Sequence, residues 1–212
     1  MKIALIGATG FTGSAILQEL AARGHEVTAL ASRPDAVAPH AQVTAQAADV
    51  MDTAALAASL RGADAVISAF SGHRQDDVLG YYMKGIRSIV AAVKAAQVAR
   101  LLLVGGAGSL EVADGVQLLD TPDFPAAYKP TAEGARQALA LLRDQAVLDW
   151  TVLSPSSQLL PGARTGVYRV GSDRLLVDAE GVSAISVGDL AAAMVDEVEH
   201  PRHRRQRFTA GY

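Results

Sequence analysis

The 212-residue chain has no cysteine, which excludes disulfides, thiolate metal sites and a cysteine nucleophile while leaving the redox compartment open. It has little of either charge sign in excess. Nineteen basic residues face 22 acidic ones, for a net charge of −3. Without a basic surplus, nonspecific binding to nucleic acid or to an anionic membrane is not expected. Long apolar runs are absent too. Ile3–Ile6 is too short for the apolar core of a signal peptide, and no stretch approaches the roughly 18 residues of a membrane span. Aromatics make up only 5%. What is present is 50% hydrophobic residues in a length that suits one domain, enough to bury a large core and to argue against disorder. The expectation is a soluble cytoplasmic protein.

Short β-rich runs alternate with longer helical ones. Lys2–Ile6, Glu26–Ala31, Gln42–Ala47, Asp64–Phe70, Arg100–Val104 and Trp150–Leu153 read as strands. Ser14–Ala22, Thr53–Leu60, Tyr81–Ala96 and Ala132–Asp144 read as helices, the first stopped by Gly24. Asp52 or Thr53 suits the cap of the second helix. Six strands alternating with helices imply βαβ units and a doubly wound parallel α/β sheet. After Pro155 the texture changes. Gly162–Gly181 is glycine-rich with alternating runs at Val167–Val170 and Leu175–Val177, which suggest a hairpin. Val187–Glu199 reads as a last helix and Phe208–Tyr212 as a last short strand. Residues 1–155 form the expected dinucleotide-binding core, and 156–212 a small annex in the same domain, completing the substrate side.

The strongest motif is Gly7-Ala8-Thr9-Gly10-Phe11-Thr12-Gly13, directly between the first strand and the first helix. Glycines permit a tight turn and close approach of backbone to a pyrophosphate, and the helix N-terminus offers free N–H groups with partial positive charge. Thr9 and Thr12 add hydroxyls. The second strand ends in Ser32-Arg33 with no acid before Pro34. A planar cation and a hydroxyl suit the 2′-phosphate of NADP(H), which makes NADP(H) the preferred cofactor; NAD(H) follows if Arg33 is a solvated loop residue and Asp35 serves the ribose.

These residues resemble the atypical short-chain dehydrogenase/reductase group of NAD(P)H-binding proteins. That group includes biliverdin reductase B, a flavin reductase, together with the NmrA-like proteins. GATGFTG at Gly7–Gly13 is similar to the group's glycine motif, Lys84–Val104 to its fourth helix and fifth strand, and Asp149–Pro155 to its sixth strand. Arg207–Tyr212 resembles the end of bacterial proteins named for NADH-flavin reduction. The resemblance implies a Rossmann fold. It places Asp49 and Val50 near the adenine, although Asp49 serves equally well as a turn or capping acid. It also runs Ser68, Ala69 and Phe70 under the cofactor ribose, and brings Gly105, Ser154 and Pro155 to the cofactor from the ends of the fifth and sixth strands.

Short-chain dehydrogenases in general carry a Tyr-x-x-x-Lys pair in which the Tyr protonates a carbonyl oxygen. Here Tyr128 is followed at four by Ala132 and Tyr81 by Gly85; Lys129 is adjacent to Tyr128 instead. That departure weighs against alcohol dehydrogenase chemistry and ranks a nucleotide-sugar epimerase last. Ser109 stands near the family's serine, as a donor to substrate or simply as a loop serine. Ser156 replaces the histidine of biliverdin reductase B, which disfavours a tetrapyrrole substrate. A flavin or quinone can take hydride directly and its proton from water, so the candidate catalytic set is Ser109, Tyr128 and Lys129 around a flat small-molecule acceptor. Phe11, Phe70, Phe124 and Tyr128 are candidate walls or plain core and rim aromatics. His73 and Arg74 could face substrate but read better as surface loop, and the basic run from His200 to Arg207 reads as solvated loop. The five histidines lack metal spacing and no G-x-S-x-G elbow occurs. The expectations are therefore an NAD(P)H-dependent reductase or, alternatively, a non-catalytic NADP(H) sensor of the NmrA-like type.

Overall fold

A computed structural model describes residues 1–73 and 75–212; Arg74, a residue singled out in the sequence, lies outside the described residues. The chain runs β1 (Lys2–Ile6), α1 (Phe11–Ala22), β2 (Glu26–Ala31), β3 (Val43–Ala47), α2 (Thr53–Leu60), β4 (Ala65–Ser68), α3 (Val78–Ala95) and β5 (Arg100–Val104). It continues with β6 (Glu111–Ala113), β7 (Val116–Gln117), α4 (Lys129–Arg143), β8 (Asp149–Pro155) and β9 (Gln158–Leu160). The last elements are β10 (Arg169–Gly171), β11 (Ala184–Ser186), α5 (Val187–Glu199) and β12 (Gln206–Gly211).

Eight strands form the main sheet in the order β10-β12-β8-β5-β4-β1-β2-β3, parallel except for β10. The strand order reverses at β1 and β4, where doubly wound sheets bind ligands beyond the carboxyl ends of the strands. This is a Rossmann-like α/β fold. Alternation along each strand feeds both faces. Ile3 and Leu5 pack with Ile16, Leu20, Leu190 and Met194 under α1 and α5; Ala4 and Ile6 pack with Leu56, Ile86, Ile89 and Leu139 under α2, α3 and α4.

Several boundaries differ from the sequence reading, each for a physical reason. α1 begins at Phe11 rather than Ser14, because the glycine turn itself becomes the helix start. β4 ends at Ser68, since Phe70 leaves the sheet to stack on Tyr82, centroids 5.9 Å apart. The expected hairpin of Val167–Val170 with Leu175–Val177 does not form. Arg169–Gly171 instead pairs antiparallel with β12, while a short hairpin forms at β6–β7 around Gly115, whose φ is +72°. Residues 156–212 supply α5 and β12 to the same sheet and core.

The basic run is exposed at His200, Arg202, Arg204 and Arg205, and is drawn into the fold at His203 and Arg207. At the amino edge of the sheet the buried Glu197 carboxylate accepts from Arg100 Nη2 at 2.8 Å and from the backbone of Arg202 and His203, and bonds the His203 ring. Arg204 pairs with Asp149. Arg207 is 7% exposed.

Candidate functional site

The cofactor cradle is built by three local facts. Gly7 takes a φ of +80°, where an added Cβ would lie 2.7 Å from the Ala69 carbonyl oxygen. Its N–H donates to the Leu30 carbonyl at 2.9 Å, which pins the turn to the end of β2. A Cβ on Gly13 would collide with the Gly7 carbonyl group. Both glycines therefore serve the close fit of turn, helix and β4 rather than chain flexibility.

Gly10 caps α1 without a side-chain bond, and the first intrahelical bond runs from Ser14 N–H to the Gly10 carbonyl at 2.8 Å. The N–H groups of Phe11, Thr12 and Gly13 consequently have no backbone partner among the described residues, and no acid occupies the first turn. The Thr9 and Thr12 hydroxyls, both half-buried, make no side-chain bond there either. This is a ready anion site. Ser32 and Arg33 are exposed just beyond β2, and Arg33 makes no ion pair among the described residues. Free helix N–H groups, a glycine cradle and an unpaired guanidinium next to the switch point fit a dinucleotide diphosphate with a 2′-phosphate.

The remaining sequence candidates fall into three groups. Asp49 is exposed and its Oδ1 accepts from Met51 N–H at 2.8 Å, a turn bond, while Val50 is buried in the core. The Ala69 carbonyl and the Phe70 backbone nitrogen pack against Gly7, 2.7 and 3.2 Å from where its Cβ would be. The Ser68 hydroxyl accepts from Phe70 N–H at 3.3 Å, and the Phe70 ring turns toward Tyr81, Tyr82 and Gly85. Gly105, Ser154 and Pro155 end β5 and β8. Gly105 N–H bonds the Leu153 carbonyl at 2.9 Å, and a Cβ at Gly105 would lie 2.6 Å from Val152 and 3.3 Å from the Ser154 hydroxyl.

The three candidate catalytic residues are not brought together around one reacting atom. Ser109 is 4% exposed. Its hydroxyl and carbonyl oxygens accept from Arg207 Nη1 at 2.8 and 3.0 Å. Arg207 also donates through Nε to Asp173 at 2.9 Å, tying the loop after β5 to β12 and to the 171–176 segment. Tyr128 is 64% exposed at the start of α4. Lys129, the next residue, lines a cavity of about 730 Å³ between the starts of α3 and α4. No Cα-adjacent Tyr–Lys pair can reproduce the spacing of one helical turn that places both side chains on one face. Of the other aromatics Phe11 is 53% exposed at the helix start and Phe124 is half-buried. His73 is exposed and bonds the Thr131 hydroxyl at 3.3 Å.

Sequence reasoning missed Arg207 as the partner of Ser109 and the acids Asp76, Asp77, Asp120 and Glu133 around the cavity. Arg136 Nη1 donates to both Asp120 oxygens at 2.9 Å and its fork also engages Glu133. The Gln137 amide bond, set against burial and joined by Arg136, holds the Glu133 carboxyl below the usual carboxylate range. Nothing local in the sequence signals these groupings, because each assembles from separate segments.

A model of the NAD(P)H-binding family matches residues 7–201. The chain belongs to this family. Solved structures within and around it agree closely in fold and differ in name. An exported protein, provisionally so described, from Burkholderia pseudomallei is 46% identical with a TM-score of 0.91, all of each chain being covered. A provisionally named epimerase from Bacteroides thetaiotaomicron is 43% identical with a TM-score of 0.93, covering 100% of this chain and 96% of that one. A provisionally named NADH-flavin reductase from Streptococcus pneumoniae is 36% identical with a TM-score of 0.85, covering 100% and 99%. The names attached to these three neighbours do not share a reaction. Among the described residues no helix is long and apolar enough to cross a membrane.

Proposed function

We propose that the protein is an NADPH-dependent reductase that delivers hydride to a flat acceptor of the flavin or quinone class, acting in the cytoplasm. The observation that carries the cofactor half is the free N–H set of Phe11, Thr12 and Gly13 beside the unpaired, exposed Arg33. The acceptor half is supported by what stands at the other side of the crevice. Tyr128 has no lysine one turn on, and Ser109, 4% exposed, is fixed by Arg207, so the Tyr-x-x-x-Lys acid of carbonyl reduction is lacking around Tyr128.

When bound, the reduced nicotinamide cofactor supplies the hydride. The chain's own part is then to hold and orient. Gly7–Gly13 would hold the diphosphate, Ser32 and Arg33 a 2′-phosphate, and Asp49 would offer its second carboxylate oxygen to an adenine amine. The Gly105–Ser109 loop, braced by Arg207, together with Ser154 and Pro155 at the end of β8, would support the nicotinamide end. Orientation of two flat rings at van der Waals distance accounts for large rate factors without a protein acid.

One observation favours a second reading, an NADP(H)-binding sensor: the missing lysine one turn after Tyr128 suits a module that binds without turnover. The experiment that separates them follows loss of dihydronicotinamide absorbance with FMN, riboflavin and a simple quinone, using NADPH and NADH in parallel. Turnover favouring NADPH supports the reductase. Saturable NADPH binding with no turnover across the panel refutes it in favour of the sensor.

A further inference from the structure

The cavity beside Lys129 lies at the carboxyl edge of the sheet. All strands from β3 to β12 across the parallel sheet point the same way, so the helices following β4 and β5 begin beyond that edge. The packing agrees. Cβ atoms on Gly106 and Gly108, just past β5, would sit 3.0 and 2.7 Å from the Ala135 and Ala132 methyls of α4. One on Gly72, just past β4, would sit 3.3 Å from Tyr82 Cβ of α3. The cavity thus opens on the side where ligands of such sheets bind. It is an open groove of about 730 Å³ rather than an enclosed cavity.

Its chemistry is lopsided. Val78, Leu79, Leu119 and Pro130 give an apolar wall suited to a flat ring. The polar lining among the described residues is Asp76, Asp77, Asp120 and Glu133 against Lys129 and Arg136. Arg136 is already claimed by Asp120 and Glu133. Asp77 accepts the Gly80 N–H that caps α3, at 2.8 Å, and Asp76 is exposed with no ion pair among the described residues. Among the described lining residues, Lys129 is the cation without a carboxylate partner, and Asp76 and Asp77 are carboxylates without a cation partner.

We infer that this cavity is the acceptor site and that it selects uncharged flat acceptors, such as riboflavin or a neutral quinone, over phosphorylated ones such as FMN. The inference rests on the reductase reading and sharpens it. A phosphate brought to this rim meets, among the described residues, Asp76 and Asp77 against the single ammonium of Lys129, with Arg136 already held by Asp120 and Glu133. An unphosphorylated ring incurs no such cost and gains the apolar wall.

The test uses the full chain and two readouts. Binding of riboflavin and of FMN is followed by flavin fluorescence in the presence of oxidised NADP, where no turnover occurs, and kcat/KM for both is measured with NADPH. At low salt riboflavin should be favoured about tenfold in both readouts, the preference shrinking as screening shortens to roughly 8 Å at physiological ionic strength. Asp76→Lys, at an exposed side chain without a hydrogen bond among the described residues, should cut the ratio about threefold or more by improving FMN. Equal or better use of FMN at low salt, or a ratio untouched by Asp76→Lys and by salt, overturns the inference while leaving the reductase intact. No turnover, but riboflavin binding with the Asp76→Lys and salt responses, upholds the cavity assignment and refutes the reductase. Neither binding nor turnover refutes both.

Discussion

Replacing Gly13 with alanine tests the cradle at its tightest point. The new Cβ would overlap the Gly7 carbonyl oxygen, and would lie 2.9 Å from the Gly7 carbonyl carbon and 3.2 Å from Ala8 Cα. All three are backbone atoms, so no side chain can swing away. Relief requires the first turn of α1 to back off from the β1 turn by about 1 Å, as judged against ordinary van der Waals contact. Overpacking of this kind costs about 1–3 kcal/mol, equivalent to a fall of roughly 3–10 °C in melting temperature for a chain of this size. The same shift moves the N–H groups of Phe11–Gly13 off their aim. NADPH affinity should drop at least tenfold, about the effect of losing one charge-assisted hydrogen bond. Gly62→Ala is the control. Gly62 has a φ of +81° and nothing within 4 Å of an added Cβ. It should lose about 1 kcal/mol of stability through backbone strain and keep its NADPH affinity. Calorimetric melting and equilibrium titration of both variants check the pair. Wild-type affinity in Gly13→Ala would refute the placement of the diphosphate on this helix.

Three further outcomes follow from the same structure. Arg33→Ala should weaken NADPH about tenfold and leave NADH unchanged in parallel titrations, because the group lost is a charged donor to the 2′-phosphate alone. Arg207→Met removes two bonds from a buried guanidinium to Ser109; it should destabilise the fold by about 2–4 kcal/mol in denaturant titration, with the half-exposed Asp173 partner adding little. For Asp189, burial raises the carboxyl, but bonds from Tyr212, Thr165 and Gly166 outweigh it and hold it below the usual range. A depressed folded value contributes stability that is present above the unfolded value, about 4, and is lost as pH falls through the lower folded value. Asp189→Asn should therefore be less stable at neutral pH and flatter in its acid unfolding profile, as read by circular dichroism.

The parts of this molecule that were legible in its sequence are those made by neighbours in the chain. β1, the glycine turn and α1 are consecutive, and each of their constraints acts within a dozen residues, so the motif and its helix were readable together. The α3 face was readable for the same reason, with Ile86, Ile89, Val90 and Val93 recurring at helical spacing into one core. The pairing of Ser109 with Arg207 spans 98 positions and joins two loops to a strand, which no periodicity reports. The cavity draws on residues 76–79, 119–120 and 129–136, and its charge balance exists only once three segments meet. Phe70 reads as a ring at the end of a strand; its departure from the sheet is set by Tyr82 and by the space that Gly85 leaves open. The basic run after α5 is exposed at His200, Arg202, Arg204 and Arg205, as its composition suggests, while Arg204 and Arg207 find Asp149 and Asp173 across the fold.

Hydride transfer from NADPH to a flat acceptor on this chain is read by anaerobic single-turnover mixing of the protein–NADPH complex with riboflavin. Flavin bleaching and loss of dihydronicotinamide absorbance should share one rate constant, well above that of the mixture without protein. NADPH held tightly with the flavin left oxidised would contradict it.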